Sequence, residues 1–420
     1  MATGITLNQF YNKKFKLQLE TYFKLTRKNE SISMTIDTPS DGKIHAYSSD
    51  TNIATVKIEN NNNITIKTLQ YGTTSIYFSQ EAGTGYYSNI QPATTLMVIT
   101  VIPDVGPTIN DTSWEIISDV AQSSLGSTIW EIGDKKEITL NGNIGDYFSA
   151  NNLQLNVFIV HFNLPMNNVQ DNNIIFAGFK NNDGINVALK CNMANSTFNG
   201  EKSFTMTHWN TSSNYQTYGG WKGCDLRYDI LGATSTPPSG YGSIVTSSRI
   251  GYDATQDTID NPVPNTLMAA LPNEFRSVLK LWPRWIDTHG YNSINDITEI
   301  TVDAITLPNL IEVGKEEGGG TNSLGNPFEG QHNIVLTFFK KEQETKAYDE
   351  EQNIAYAYLD TNTISDDVTS FFLSSPQAKN KYYISYLRSW QSNPVQVQLA
   401  SAYYDVQPYK SASIFPLFKI

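Results

Sequence analysis

Residues 31 to 102 consist of short apolar runs separated by turn-forming residues. The runs are Ser31–Asp37, Ile44–Tyr47, Ala54–Ile58, Ile64–Thr68, Thr74–Phe78 and Thr94–Ile102. Between several of them stand Pro39 to Gly42, Asn60 to Asn63 and Tyr71-Gly72, residue types that accept turn geometry and so end strands. This many short strands in so short a segment predict a two-sheet β-sandwich.

The same segment resembles a known family. Tyr47–Val56, Asn63–Ile66 and Tyr71–Ile76 are similar to three neighbouring strands of the bacterial Ig-like group 2 domain (BIG2), although an Asn-rich turn here replaces the usual glycine before the second strand. The resemblance implies an Ig-like domain at residues 29–103, of the kind that serves as a spacer, anchor or adhesive unit on bacterial surface proteins and phage structural proteins. Residues 1–28 are expected to form an N-terminal arm or first strands.

A change of composition follows this domain. Two prolines, a glycine and several Asp, Asn and Thr residues lie between Pro103 and Ser113, which is typical of a semi-rigid linker. At 420 residues the chain is also long for a single hydrophobic core. We therefore expect a linker at residues 104–113 and a second, larger domain at residues 114–420.

Strands also dominate the second segment. Apolar runs occupy Leu153–Phe162, Ile174–Phe179, Ile185–Lys190 and Ile297–Leu307. Both faces of Leu153–Phe162 are apolar, which predicts a central strand covered on both sides. One stretch, Thr266–Trp282, has helical character, with Asn265 as its N-cap; Pro272 interrupts it, and Asn273 can cap a second short helix. The expected fold class is mainly β, with an Ig-like sandwich followed by a larger α+β domain containing a few short helices.

A second resemblance covers roughly residues 113 to 420. The segments on which it rests are Trp130–Asp134, Tyr218–Gly232, Asn265–Pro272 and the terminal strand Ala412–Phe418. These segments are similar to DUF6273, an uncharacterised domain of phage and prophage proteins from gut Firmicutes. Members often carry a Trp-Trp-containing segment where this chain has Leu387–Pro394. The resemblance implies a C-type-lectin-like fold, by analogy with relatives of the formylglycine-generating enzyme and with phage receptor-binding proteins.

Composition and charge exclude several classes of protein. The chain is 39% hydrophobic and 17% charged, which favours a packed fold over disorder. Its formal charge of −12 provides no source for the phosphate attraction that drives nucleic-acid binding. The start of the chain lacks a basic segment followed by an apolar one, and no run approaches about 20 apolar residues. We expect synthesis in the host cytoplasm without a signal peptide, and no membrane insertion.

Candidates for catalytic chemistry are weak. His161, His208, His289 and His332 lie in different segments, and no HExxH or CxxC spacing is present, so neither a metal nor another cofactor is expected. Cys191 and Cys224 are interpreted as buried thiols, with a single disulfide as the alternative. Cys224 and His208 could in principle form a nucleophilic pair, but ordinary structural roles are favoured. We therefore do not expect an enzyme.

Charged residues offer two further candidates. Asp225, Arg227 and Asp229 would share one face of a strand and could bind a sugar or a cation, whereas a short helix would disperse them. We favour a structural role, in which an acidic neighbour neutralises a buried Arg227 and the segment Trp221–Gly232 is held against the core. Oxygen ligands for calcium could come from Asp253, Asp257 and Asp260, or from Asn181 to Asp183, but solvated loops are the favoured interpretation.

Aromatic residues are dense between residues 208 and 243, where they lie among Asn, Ser, Thr and Gly. The candidate ligand-binding residues are Trp209, Tyr215, Tyr218, Trp221 and Tyr241. Aromatic rings beside amides and hydroxyls suit protein interfaces and sugar faces, and they suit core and loop packing equally well. Tyr403, Tyr404 and Tyr409 have the same two interpretations.

Together these features predict a bacteriophage virion protein with a structural or adhesive role, such as a tail fibre, head fibre or capsid-decorating component. Its expected location is the particle surface. The expected partners are other virion proteins, of the capsid or the tail, and a host cell-surface glycan, and a homo-oligomer is expected. The alternatives are a lectin-like module that binds a host glycan and, third, an enzyme that degrades cell-wall polysaccharide, which would need paired carboxyl groups in a cleft.

Overall fold

The computed structural model describes residues 5–6, 23–37, 40–60, 63–84, 94–145, 148–166, 169–189, 197–198, 201–202, 219–240, 250–287, 298–309, 312–313, 334–340, 356–360, 363–365, 370–376, 383–390, 393–401 and 412–420. The chain divides into two compact units, Met1–Leu125 and Gly126–Ile420. The division lies C-terminal to the expected linker at residues 104–113. The fold is mainly β with a few short helices, as the sequence predicts.

The described part of the N-terminal unit is a sandwich of two four-stranded sheets. The strands are β1 (Ile5–Thr6), β2 (Phe23–Thr26), β3 (Ser31–Asp37), β4 (Ile44–Ser48), β5 (Ala54–Glu59), β6 (Asn63–Thr68), β7 (Gly72–Gln80) and β8 (Thr94–Val101). One sheet has the order β1-β3-β6-β5 and the other β2-β8-β7-β4. The pairings β1–β3 and β2–β8 are parallel, and the others are antiparallel.

Alternation of apolar and polar residues explains these strands. In β3, Ile32, Met34 and Ile36 are buried while the Ser and Thr residues between them are exposed. The buried residues of both sheets join in one hydrophobic core, which includes Ile66, Phe78 and Ile99 from the facing strands. All six predicted strands of this segment are confirmed, with ends that differ by at most two residues.

Residues 104–113 form a hydrogen-bonded turn. The Thr108 hydroxyl donates to Asp111 Oδ2 over 2.6 Å, the Gly106 amide donates to Thr112 Oγ1 over 3.0 Å, and that hydroxyl donates in turn to the Thr108 carbonyl. Ser113 then caps helix α1 (Trp114–Gln122), since its hydroxyl accepts a hydrogen bond from the Ile116 amide. This helix was not among the predicted elements.

The C-terminal unit combines short helices with strands. Its numbered helices are α2 (Gly126–Ile129), α3 (Asp225–Asp229), α4 (Gln256–Asp260), α5 (Leu267–Ala270) and α6 (Asn273–Arg276), and residues 337–340 form a further helical turn. Its strands are β9 (Lys135–Ile144), β10 (Phe148–Phe162), β11 (Ile174–Lys180), β12 (Asn186–Leu189), β13 (Thr197–Phe198), β14 (Glu201–Lys202), β15 (Trp282–Asp287), β16 (Thr298–Asp303), β17 (Tyr356–Asp360), β18 (Thr363–Ser365), β19 (Ser370–Pro376), β20 (Tyr383–Trp390), β21 (Asn393–Ser401), β22 (Ala412–Ser413) and β23 (Leu417–Lys419).

A seven-stranded sheet forms the centre of the C-terminal unit. Its order is β18-β17-β12-β11-β10-β9, and β23 pairs with β11 as well. Residues Leu155 to Val160 of β10 are buried on both faces, so the predicted central strand is confirmed. The remaining described strands form the pairs β13-β14 and β15-β16 and the four-stranded sheet β21-β20-β19-β22.

The segment around β23 is an interior strand. Ile175, Phe176 and Ala177 of β11 pair with Lys419, Phe418 and Leu417. Beyond β11, Leu417 exchanges two backbone hydrogen bonds with Thr306, and Ile414 exchanges two with Leu189. Residues 413–420 are all buried. This segment therefore joins parts of the chain that are far apart in sequence.

The predicted helix at Thr266–Trp282 is confirmed only in part. It breaks at Pro272 as expected, giving α5 and α6, but Trp282 begins β15. The predicted caps are wrong. Thr266 caps α5 by accepting from the Ala269 amide, because Asn265 has a left-handed φ of 60°. Pro272 occupies the N-cap position of α6, and Asn273 is its first helical residue.

Candidate functional site

The charge cluster of the sequence analysis lies on a short helix. Asp225, Arg227 and Asp229 belong to α3, where a helical period disperses their side chains. Arg227 is 1% exposed, and its guanidinium forms an ion pair with Asp303 of β16, whose side chain is 0% exposed. The acidic partner of Arg227 therefore comes from a distant strand.

Every arm of the Arg227 guanidinium is hydrogen-bonded. Nε donates to Asp303 Oδ1, Nη1 donates to the Tyr252 carbonyl over 2.6 Å, and Nη2 donates to the Val302 carbonyl over 2.8 Å. The indole N–H of Trp221 donates to the other oxygen of Asp303 over 2.8 Å. One buried ion pair thus ties together the segment before α3, residues 250–254 and β16.

A second buried ion pair involves β15, the strand that pairs with β16. It was not predicted from the sequence. Arg284 of β15 donates from Nη2 to Glu312 Oε2 over 2.6 Å and from Nη1 to Thr306 Oγ1 over 2.7 Å. The amide of Asn309 also donates to Glu312 Oε2, over 2.8 Å. The guanidinium carbon lies 4.8 Å from the ring centre of Trp282, within range of a cation–π contact.

Both ion pairs anchor one face of the β15–β16 hairpin. In the antiparallel register, Trp282 lies opposite Asp303 and Arg284 lies opposite Thr301, and these four residues share a face because side chains alternate along a strand. That face is buried. The alternation leaves Ile300 and Val302 on the opposite face, where Ile300 is 38% exposed. The hairpin is therefore anchored through its buried face, while Ile300 on the other face is exposed.

The segment beside β16 has two further exposed apolar residues. Ile250 is 65% exposed and Tyr252 is 44% exposed. Arg227 binds the carbonyls of Tyr252 and Val302 at once, and the Ala254 amide donates to the Val302 carbonyl over 2.8 Å, so this segment lies beside β16. We call Ile250, Tyr252 and Ile300 together the hairpin surface.

Three acidic residues, Asp253, Asp257 and Asp260, follow Tyr252 in the chain. Asp253 Oδ1 accepts a hydrogen bond from the Val302 amide over 3.0 Å. The same oxygen forms an ion pair with Lys222 Nζ over 3.6 Å. Asp257 and Asp260 are exposed on α4, which begins two residues after Ala254. Each accepts a hydrogen bond from an amide side chain of its own segment, Asn261 and Gln256 respectively. Across the described ranges, no three His, Cys, Asp or Glu side chains converge in a way that could hold a metal ion.

Of the predicted ligand-binding aromatics, the structure describes Trp221 alone. Trp221 is fully buried, so this residue packs in the core, which was the alternative interpretation, and not at the surface. Burial and, to a smaller extent, the nearby Asp229 charge raise the pKa of the neighbouring Tyr228. Trp209, Tyr215, Tyr218 and Tyr241, together with Tyr403, Tyr404 and Tyr409, lie outside the described residues.

The remaining candidates with potential chemistry have structural surroundings. His161 Nδ1 accepts a hydrogen bond from the Thr337 amide over 3.2 Å, at the start of the helical turn 337–340. Cys224 is buried, while Cys191, His208, His289 and His332 lie outside the described residues. Asn181 closes the turn between β11 and β12 by accepting from the Ile185 amide over 2.8 Å. Among the described helices, none combines the length and the apolar character that spanning a lipid bilayer requires.

Comparison with known proteins gives little overlap. No family model matches the chain, and no curated protein matches it. Among solved structures, the chain is similar to the crystal structure of a cysteine protease inhibitor from Entamoeba histolytica, with 19% sequence identity over 19% of this chain and 84% of that chain, at a TM-score of 0.14.

Proposed function

We propose that the chain is a structural or adhesive protein of a bacteriophage particle, without enzymatic activity, that displays a surface-binding domain on an Ig-like mount. A tail fibre, a head fibre or a capsid-decorating protein would have this organisation. The observation that supports the proposal most is the hairpin surface, where Ile250, Tyr252 and Ile300 are exposed on a support held by buried ion pairs.

This arrangement suits binding for two physical reasons. Burying an exposed apolar side chain against a partner is favourable by about 25 cal/mol for each Å² removed from water. Arg227 binds the backbone carbonyls of Tyr252 and Val302, which limits the conformational entropy that this backbone would lose when a partner binds. Rigid support and exposed apolar side chains together favour recognition.

The N-terminal unit supports the proposed mount. Its described strands form two sheets around one apolar core of their own. The BIG2 resemblance adds the role of spacer or anchor. In the proposal this unit contacts other virion proteins, of the capsid or the tail, within a homo-oligomer at the particle surface, and the protein is made in the host cytoplasm.

Tyr252 supports a second candidate, a lectin-like module for a host-surface glycan. Tyr252 is 44% exposed, and an exposed aromatic side chain can stack on a sugar. A glycan array or whole-cell binding assay would test this candidate with the intact chain and a Tyr252→Ala variant. Binding that is unchanged by the substitution would count against a role for this ring.

Localisation tests the main proposal directly. Gold-labelled antibodies against the chain should decorate purified phage particles at regular positions, as viewed by electron microscopy. Particles that lack the protein would defeat the proposal. Incubating the chain with host envelope material tests the enzymatic alternative, since released sugars would contradict a purely adhesive role.

A further inference from the structure

The outward face of the sheet β2-β8-β7-β4 has three large side chains in one row. Tyr47 of β4 lies opposite Tyr77 of β7, and Tyr77 lies opposite Leu96 of β8. Directly opposed residues of neighbouring strands point to the same side of a sheet. The residues that follow them along β7 and β8, Phe78 and Met97, point to the other side and belong to the core. We call Tyr47, Tyr77 and Leu96 together the tyrosine row.

The tyrosine row is continuous and exposed. The rings of Tyr47 and Tyr77 are stacked, with centres 4.9 Å apart and planes inclined by 12°. Although Tyr77 covers one face of its ring, Tyr47 is 60% exposed, and Leu96 is 38% exposed. β4 ends its sheet, and no described strand lies beyond it. A ligand can therefore reach the Tyr47 ring from the side that Tyr77 does not cover.

The described side chains next to the tyrosine row have no net charge. On one side of the row, His45 lies opposite Ser79, and His45 Nε2 lies 2.6 Å from Glu81 Oε1. The exposed Lys43, whose carbonyl accepts from the Glu81 amide, has the opposite charge to Glu81. On the other side, the nearest position of β7 is Ser75. Hydroxyl groups and balanced charges favour an uncharged ligand, although the whole chain has a formal charge of −12.

The size of the tyrosine row does not suit a folded protein or a second copy of the chain. A stable protein interface buries about 800 Å² on each partner. A fully buried aromatic side chain contributes about 150–250 Å², so three partly exposed side chains offer on the order of 300 Å². That area matches one or two sugar rings.

The chemistry of the row also matches a sugar. One face of a pyranose ring consists of C–H groups, which pack on the electron-rich face of an aromatic ring and on an aliphatic side chain. The sugar hydroxyls can exchange hydrogen bonds with neighbouring serine hydroxyls. We propose that the tyrosine row binds a neutral saccharide, with Tyr47 as the stacking ring. This inference goes beyond the proposed function, in which the N-terminal unit is a mount.

Saccharide binding to the intact chain tests this inference. The probes are three neutral tetrasaccharides, cellotetraose, mannotetraose and chitotetraose, and the anionic tetragalacturonate, each titrated by saturation-transfer difference NMR. At least one neutral probe should bind about threefold or more tighter than tetragalacturonate, because the acidic chain repels the anion. Binding by none of the neutral probes, or equal binding of tetragalacturonate, would overturn the inference.

Variants then locate the binding. Tyr47→Ala should weaken binding of the neutral probe by about three- to tenfold, since it removes the stacking ring, whereas Tyr47→Phe keeps the ring and should stay within about twofold. Leu96→Ser leaves the stacked pair in place and should weaken binding by about threefold through lost apolar contact. The control is Lys57→Ala, because Lys57 is exposed on β5 of the other sheet, and it should leave binding unchanged.

The variants also give the results that would contradict the inference. Unchanged binding by Tyr47→Ala is one, and an equal loss in the Lys57→Ala control is another. A loss confined to Tyr252→Ala would place the saccharide on the C-terminal unit instead. A dimer in sedimentation experiments that Tyr47→Ala dissociates would show that the row is an interface between copies. Particle localisation is measured separately, so the saccharide site and the virion role can fail independently.

Discussion

Arg227 and Asp303 lie 76 positions apart in the sequence and form an ion pair in the interior of the C-terminal unit. Both carboxylate oxygens of Asp303 accept hydrogen bonds, one from Arg227 and the other from the Trp221 indole. Two buried charges are costly to remove from water, and their mutual contact with full hydrogen bonding offsets that cost. Either residue without the other would be an uncompensated buried charge, so the fold tolerates these charges only as a pair.

Breaking this pair should destabilise the C-terminal unit strongly. Arg227→Met leaves Asp303 as a buried charge without its cation, so we expect the free energy of unfolding to fall by about 3–5 kcal/mol. Urea unfolding followed by tryptophan fluorescence measures this change, because all but one of the seven tryptophans belong to Gly126–Ile420.

The matched control for Arg227→Met is Lys340→Met. Lys340 is an exposed cation of the same unit, and its loss should change the free energy of unfolding by less than about 0.5 kcal/mol. The double variant Arg227→Met/Asp303→Leu should recover part of the loss, since no unpaired charge remains. A single Arg227→Met variant as stable as the control would contradict the structural role of the pair.

Leu417 gives a second prediction. It is fully buried among Phe158, Phe415 and Trp282 in the main core of the C-terminal unit. Leu417→Ala should lower the free energy of unfolding by about 2–5 kcal/mol, because it removes buried methyl groups and leaves a cavity. The same unfolding experiment on Val169→Ala, at an exposed apolar position, should show a change near zero. Equal effects of the two substitutions would mean that β23 is not an interior strand.

Lys280 predicts a dependence on pH. Burial lowers the pKa of Lys280, the Lys419 cation lowers it further, and Asp171 opposes both effects. A folded-state pKa below the unfolded one means that the charged amine disfavours the native state. This penalty is full below the folded-state pKa and declines as pH rises from there to the unfolded-state pKa. Lys280→Met should therefore raise the free energy of unfolding at pH 7, with a gain that shrinks as pH approaches about 10.4.

Urea midpoints at several pH values between 7 and 10 would measure this effect. Lys340→Met is again the control, since it removes a lysine of the same unit that is exposed. A difference between Lys280→Met and the unsubstituted chain that is constant with pH would contradict the prediction.

The stacked rings of Tyr47 and Tyr77 give a prediction for the N-terminal unit. They lie opposite each other on β4 and β7, with ring centres 4.9 Å apart and planes inclined by 12°. A double-mutant cycle with Tyr47→Ala and Tyr77→Ala should give a coupling of about 0.5–1.5 kcal/mol. Hydrogen exchange of the β4 and β7 amides, followed by mass spectrometry, measures it locally, and a coupling near zero would exclude a stabilising stack.

Local sequence patterns predict the N-terminal sandwich well. In β3 and β6 the apolar residues alternate with Ser, Thr, Asn and Lys, and Asn or Gly residues mark the ends of the strands. Both signals come from residues next to each other in the chain, so no knowledge of distant contacts is required. Helix α1 has such a signal too, since Ser113 precedes Trp114, Ile117 and Val120, apolar residues spaced three positions apart.

The candidate site was harder to predict because its determinants are distant in sequence. A buried Arg227 with an acidic neighbour could be inferred from its residue type, but nothing near Asp303 indicates which arginine it binds. The exposure of Ile300 is also a property of packing, since an isoleucine within a strand-forming run predicts a buried side chain. Trp221 is the opposite case, because its neighbours along the chain are polar and yet its ring is buried.

The position of β23 determines when each unit can fold during translation. Residues 174–177, Leu189 and Thr306 all receive backbone partners from residues 414–420. During translation the ribosome releases these earlier segments well before their partners exist, whereas the sandwich strands of residues 31–101 meet neighbours within a short stretch of chain. The N-terminal unit can therefore fold while the chain is still growing, and the large sheet must wait for residue 420 to leave the ribosome.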